Sequence, residues 1–405
     1  MLLALLALAA LDLACHRASP RDASSRVVAS ASPSPSPSAS PSASPSASAS
    51  ALPDPSGPFA RLPDFAFTQL TGKPIVAPLP FTRSSGASLA PDGETYFVDS
   101  PSGPTDGGYL VSKAHPKGVF LPVGGVHDAA FSPDGARLAL LGDDSYEVNV
   151  ASVPDGALRA PIPSVYQMRF LSNTTLLTWS GCALMQTDLA TSAAPRALVD
   201  KECAAADGSR DGARWILATP SDFGRVLSFR DYKRVRAVDG RTGAVRDLLE
   251  VQGNDGIVDV QIAPDGARAC FYERAKGLAC ARWSDGRVDV VSASADSYKM
   301  RFSDEGDRLL FVEGDDLMLA DFRAWTVRKL RGGDGVSYWA FFPGGHRVIA
   351  YDVGATVYDL DAATSIAVRP GVEVGGFVPS PVDPKRFMLG EEIGASRRYV
   401  WITLP

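Results

Sequence analysis

The stretch FSPDGARLALLGDD, residues 131–144, sets a proline, an aspartate and a glycine between two apolar runs. Proline presets the backbone angle of the first central position of a type I turn, and a glycine supplies the left-handed position that closes such a turn into a hairpin. The stretch therefore predicts two adjacent antiparallel strands. Near copies recur as LAPDGETYFV at Gly93, FSPDGARLAL at Gly135, GSRDGARWIL at Gly212, IAPDGARACF at Gly266, FSDEGDRLLF at Gly306 and FFPGGHRVIA at Gly345. Successive glycines are 42, 77, 54, 40 and 39 residues apart.

The gap of 77 is about two periods, and its middle holds MRFLSNTTLLTW, a degenerate copy with Asn173 and Thr174 in the turn. Near the end, FVPSPVDPKRFMLG places Asp383 and Pro384 about one period after Gly345, giving an eighth copy. The gap of 54 carries about fourteen extra residues, assigned to a lengthened hairpin in RDYKRVRAVDGRTG, 230–243. A period near forty residues with four short β-runs per unit is the signature of a propeller blade. The unit from Val126 shows it: HDAAFS, a turn, ARLALLG, SYEVNVAS, a second turn at 154–156, then ALRAPI. No long amphipathic helical pattern is present. The fold class expected is all-β, a single propeller of four-stranded blades over 63–405, with eight blades preferred and seven the alternative. Only two strands, FMLGEE and RYVWITL, follow Asp383, so PIVAPLPFT, ahead of the first repeat, is expected to complete the last blade and remove its open edge.

The SPDGARLA phrases resemble the WD40-like propeller repeats of the TolB family and of the propeller domains of some prolyl peptidases. The resemblance covers roughly 63–405 and rests on turn formers and blade core. It implies a periplasmic, protein-binding scaffold. The separate α/β domain of TolB is replaced here by a low-complexity segment, and neither a hydrolase domain nor a GxSxG motif of the peptidases is found.

Residues 1–15, MLLALLALAALDLAC, are almost wholly apolar yet too short for a membrane-spanning helix. Leu13, Ala14 and Cys15 resemble the end of a bacterial lipoprotein signal, with Cys15 lipidated; ordinary signal cleavage and a chance apolar terminus stand as alternatives. Asp12 and the absence of an early lysine or arginine depart from that pattern. Residues 16–58 are rich in Ser, Pro and Ala, with nothing to bury, and are expected to form a disordered spacer. At roughly 3 Å per extended residue it would reach up to ~120 Å. These features place the chain in the cell envelope, in the periplasm or anchored to the outer membrane, as a monomer held by lipid alone.

Hydrophobic residues form 45% and charged residues 21% of the 405, enough apolar content for a core. A net charge of −6 argues against nucleic acid, which selects basic surfaces. Four cysteines besides Cys15 suit an oxidising compartment, paired Cys182–Cys203 and Cys270–Cys280, with free thiols the alternative. Cys270 and Cys280 sit symmetrically about Ala275, which would put them opposite each other across a hairpin. No Cys/His cluster has metal spacing, and no cofactor is called for. The histidines His16, His115, His127 and His346 are scattered, and the repeated Asp92, Asp134, Asp211 and Asp265 are accounted for by turn chemistry. A non-catalytic protein is expected.

Eight residues before five of the turns stand His127, Tyr166, Val258, Tyr298 and Ser337, expected to ring the channel mouth, with Tyr338 and Trp339 as further aromatic anchors. Loops on the same face would add Asp143, Asp144, Asp222, Asp315, Asp316, Glu391 and Glu392, an acidic surface suited to a protein partner. The alternative is a small ligand, glycan or cation at the channel mouth.

Overall fold

A computed structural model describes residues 58–405 except 80–86, 101–106, 143–145, 164, 166, 181–182, 192, 201–204, 211, 220–231, 252–255, 275, 295–299, 332–337, 352–353 and 394–395. The signal-like segment, the spacer, Cys15, Cys182 and Cys203 lie outside the described residues.

Each recurring turn has the geometry its sequence demands. The six landmark glycines all have φ between 61° and 73°. In the quoted stretch, the Asp134 carboxylate accepts the Ala136 N–H at 3.0 Å and the Ser132 hydroxyl at 2.6 Å, and Ser132 Oγ accepts the Arg137 N–H at 2.9 Å. Asp92 and Asp265 likewise accept backbone N–H groups two residues on. The aspartates thus lock turns, as an Asx residue does.

These hairpins build eight antiparallel sheets, the blades, covering 87–121, 126–152, 167–199, 205–250, 257–292, 300–331, 338–367 and 374–403. The fourth strand of blade 2 is reduced to bridges at Leu158 and Ile162. The last inner strand touches the first, closing the ring, and the described residues include no helix. The extra length in blade 4 falls between Thr219 and Arg234, overlapping the expected 230–243 only at 230–233, because Arg234–Asp239 is the third strand of that blade.

Both faces of each sheet are buried, which explains the continuous apolar runs. In Arg308–Glu313, Leu309 and Phe311 point into the core shared with blade 5, while Leu310 points into the core shared with blade 7. Alternation with period two feeds two different cores. Eight apolar clusters result, one at each junction between neighbouring blades.

The arginine that follows the turn ties one blade to the next. Arg137 Nη1 donates to Asn173 O at 2.6 Å, Arg214 to Gly266 O at 2.8 Å, Arg308 to Gly345 O at 2.8 Å and Arg347 to Pro384 O at 3.2 Å. Each acceptor is a turn carbonyl of the following blade.

The segment Ile75–Pro78 pairs antiparallel with Ser396–Thr403, so strands from both ends of the ring share blade 8. The preceding residues do more than the sequence suggested. Ala60–Arg61 pairs in parallel with the outer strand of blade 6 and Thr68–Gln69 with that of blade 7. Phe59 stacks on Trp325 at 4.2 Å, and Phe67 packs on Tyr358 at 4.8 Å. One strap therefore covers the outer edges of three consecutive blades.

Candidate functional site

The inner strands of blades 3 to 7 line an open cavity of about 1090 Å³. Its character is set by one register position, the penultimate residue of each inner strand. Around the ring that position carries Ser88, Ala130, Arg169, Asp207, Gln261, Arg301, Ala340 and Val378. Four consecutive blades, 3 to 6, thus supply long polar or charged groups at one level, and the other four supply small or apolar ones.

Two of the four are used in holding the ring. Arg169 Nη2 is 2.7 Å from Asp207 Oδ1, and Arg169 also donates to Gly208 O. Asp207 Oδ2 accepts the Ile262 N–H of blade 5 at 3.0 Å, linking three blades. Nearer the turns, Arg210 Nη2 meets Asp304 Oδ1 at 2.9 Å, joining blade 4 to blade 6 across blade 5.

The other groups are available. Arg301 and the Gln261 amide line the cavity with no hydrogen bond or ion pair to any described residue. Asp259 stands two residues before Gln261, at a register shift in the inner strand of blade 5, and its carboxylate accepts only the Val260 N–H, at 2.9 Å. Asp128 occupies the same bulge in blade 2 and accepts the Ala129 N–H at 2.8 Å. A bulge strands one backbone donor, and the aspartate satisfies it locally. Burial pushes the Asp259 carboxyl up to about 7; the Asp207 charge adds to this and the Val260 N–H opposes it. Asp128 and Arg301 are exposed to the channel but surrounded by the blades, and that desolvation raises Asp128, against the Ala129 N–H, His127 and Arg169, and lowers Arg301, which Asp304 favours and Arg169 opposes in its charged form.

The mouth residues inferred from sequence fare unevenly. His127 is exposed at the start of its strand, and Trp339 is a cavity-lining residue only 8% exposed rather than an open anchor. Tyr166, Tyr298 and Ser337 lie outside the described residues, as does the Tyr338 side chain. Of the acidic positions, Asp143, Asp144 and Asp222 are also outside them. Glu391 is not a loop acid: it is 1% exposed, flanked by Arg369 at 2.6 Å and Arg398 at 2.5 Å. Glu392 pairs with Arg397 at 2.8 Å and Asp316 with Lys329 at 3.0 Å, leaving Asp315 exposed. The carboxylates at 316, 391 and 392 are neutralised where they stand, so they make no acidic surface.

Cys270 and Cys280 are direct cross-strand partners joined by a disulfide, in the core between blades 5 and 6. Among the described residues no three His, Cys, Asp or Glu side chains gather to hold a metal ion. His346 Nδ1 contacts Asp361 at 2.6 Å, in an exposed pair.

Neither a family model nor a curated protein sequence matches the chain. Solved structures do. The C-terminal WD40 domain of Sif2 superposes with a TM-score of 0.56 at 10% identity, over 83% of this chain and 100% of that one. An oligogalacturonate lyase in complex with manganese gives 0.52 at 14% identity, over 80% and 98%. The fold is a WD40-like β-propeller, and at these identities the likeness extends to the fold alone.

Proposed function

We propose that the chain is a non-catalytic recognition propeller whose central channel binds a small polar ligand. One observation carries this: Arg301, Gln261 and Asp259 face a cavity of about 1090 Å³ without pairing with one another. Arg301 is exposed to the cavity and Asp259 and Gln261 are half-buried in its wall, so their polar atoms stand open to a ligand or to water. Their convergence on one cavity suits binding.

The tether belongs to the same proposal. Cys15 as a lipid anchor, the Ser/Pro/Ala spacer and a TolB-like envelope location would hold the ring outside the cytoplasm, and the Cys270–Cys280 disulfide suits an oxidising compartment. A second reading, a protein-binding scaffold, draws support from the outer rim. Val245 of blade 4 and Val288 and Val290 of blade 5 are exposed on outer strands, whereas the outer edges of blades 6 to 8 are occupied by the strap.

The test is native mass spectrometry and thermal-shift screening of the purified chain against small polar molecules. A bound species lost in Arg301→Gln supports the channel reading. A rim-bound protein recovered with no small molecule bound anywhere would favour the scaffold.

A further inference from the structure

We propose that the channel takes a short peptide with free termini, its carboxylate held by Arg301, its amide by Gln261 and its ammonium by Asp259. This rests on the small-ligand reading above and gives that ligand a class. The groups form a ladder. Asp259 and Gln261 are two residues apart on one strand and so face the same side, roughly 7 Å apart along it. Arg301 stands on the next blade at the level of Gln261. Anion and cation are therefore offset by about two residue steps, with an amide group at the cation's level. An extended peptide advances roughly 3.3–3.6 Å per residue, so a dipeptide spans about 7 Å, the offset along the strand, and a tripeptide about 10 Å, which also takes in the step across to the next blade.

Other ligand classes leave something unpaired. A neutral sugar would desolvate both Arg301 and Asp259 without giving either a counter-charge. A dicarboxylate would bring its second charge towards Asp259 and Asp207, and a polyamine would bring one towards Arg301 and Arg169. A peptide amide offers Gln261 both a donor and an acceptor, matching both functions of its side chain. Trp339, Met300 and Phe302 line the cavity near Arg301 and give a peptide side chain an apolar wall.

The test needs no variant in its first step. Trialanine, N-acetyl-trialanine and trialanine amide are titrated calorimetrically into the full-length protein. Trialanine should bind, and each blocking group should weaken binding at least tenfold. In Asp259→Asn the free and acetylated peptides should bind alike; in Arg301→Gln the free and amidated ones should. The proposal fails if either blocked peptide binds as tightly as trialanine to the unaltered protein. If trialanine does not bind but another small molecule does, the peptide inference falls and the small-ligand reading stands. If no small molecule binds, both fall.

Discussion

Replacing Arg308 by methionine tests whether the post-turn arginines hold the ring together. Methionine keeps most of the apolar stem and removes the charged head. The side chain is 17% exposed, so its bond to Gly345 O is largely shielded from water. A hydrogen bond from a charged group contributes roughly 1.5–3 kcal/mol. The contacts to Asp361 at 3.3 Å and Asp321 at 3.5 Å are longer, and pairs of this kind add at most about 1 kcal/mol. The expected loss is about 2–3 kcal/mol, measured by urea unfolding followed by tryptophan fluorescence. Arg323→Met is the control, because Arg323 is 58% exposed and its partner Asp307 belongs to the same blade; its loss should stay below that of Arg308→Met. A loss for Arg308→Met no larger than the control's would refute the inter-blade role.

Three further outcomes are expected. The folded state raises the Asp259 carboxyl from 3.8 to about 7, so it retains a proton that the unfolded chain releases, and stability falls as pH rises between those values. Asp259→Asn, which still accepts the Val260 N–H, should therefore match the parent near pH 4 and gain melting temperature up to pH 7, with a constant advantage above it. Cys270→Ala/Cys280→Ala, or reduction of the parent, should cost roughly 2–3 kcal/mol for a loop of 10 residues, read from denaturation midpoints with and without reductant. Removing residues up to 72 should cost a few degrees of melting temperature, whereas removing residues up to 79 opens blade 8 and should abolish a single cooperative transition in calorimetry.

The architecture was legible because the turn chemistry repeats. Six glycines that must adopt positive φ, each followed by an apolar run, give both the period and the hairpins, and the two degenerate copies at Asn173 and Asp383 complete the count. The strap was not legible: Ala60–Arg61 and Thr68–Gln69 are two-residue pairings with no β pattern, specified by aromatic contacts with blades far along the chain. The channel was missed by three positions. Counting back eight residues from a turn reaches the start of the inner strand, but inner strands are three to six residues long and the cavity level sits one residue from their end. Aligning the repeats on that penultimate position would have shown Arg169, Asp207, Gln261 and Arg301 as one polar run. Glu391 misled for a different reason: a carboxylate beside a hairpin looks solvent-facing until Arg369, from the preceding blade, is seen to cover it.

The placement of that polar run relative to the seam has a mechanical consequence. In a circle of eight, the junction of blades 4 and 5 lies diametrically opposite the junction of blades 8 and 1, next to which the two chain ends are zipped together. The ring would part first on the seam side, where one strand has no covalent continuity with its neighbours in the blade, and the charged arc would be the hinge about which it parts. Links such as Arg169–Asp207–Ile262 and Arg210–Asp304 stiffen that hinge, so fraying at the seam can occur while the arc keeps its shape.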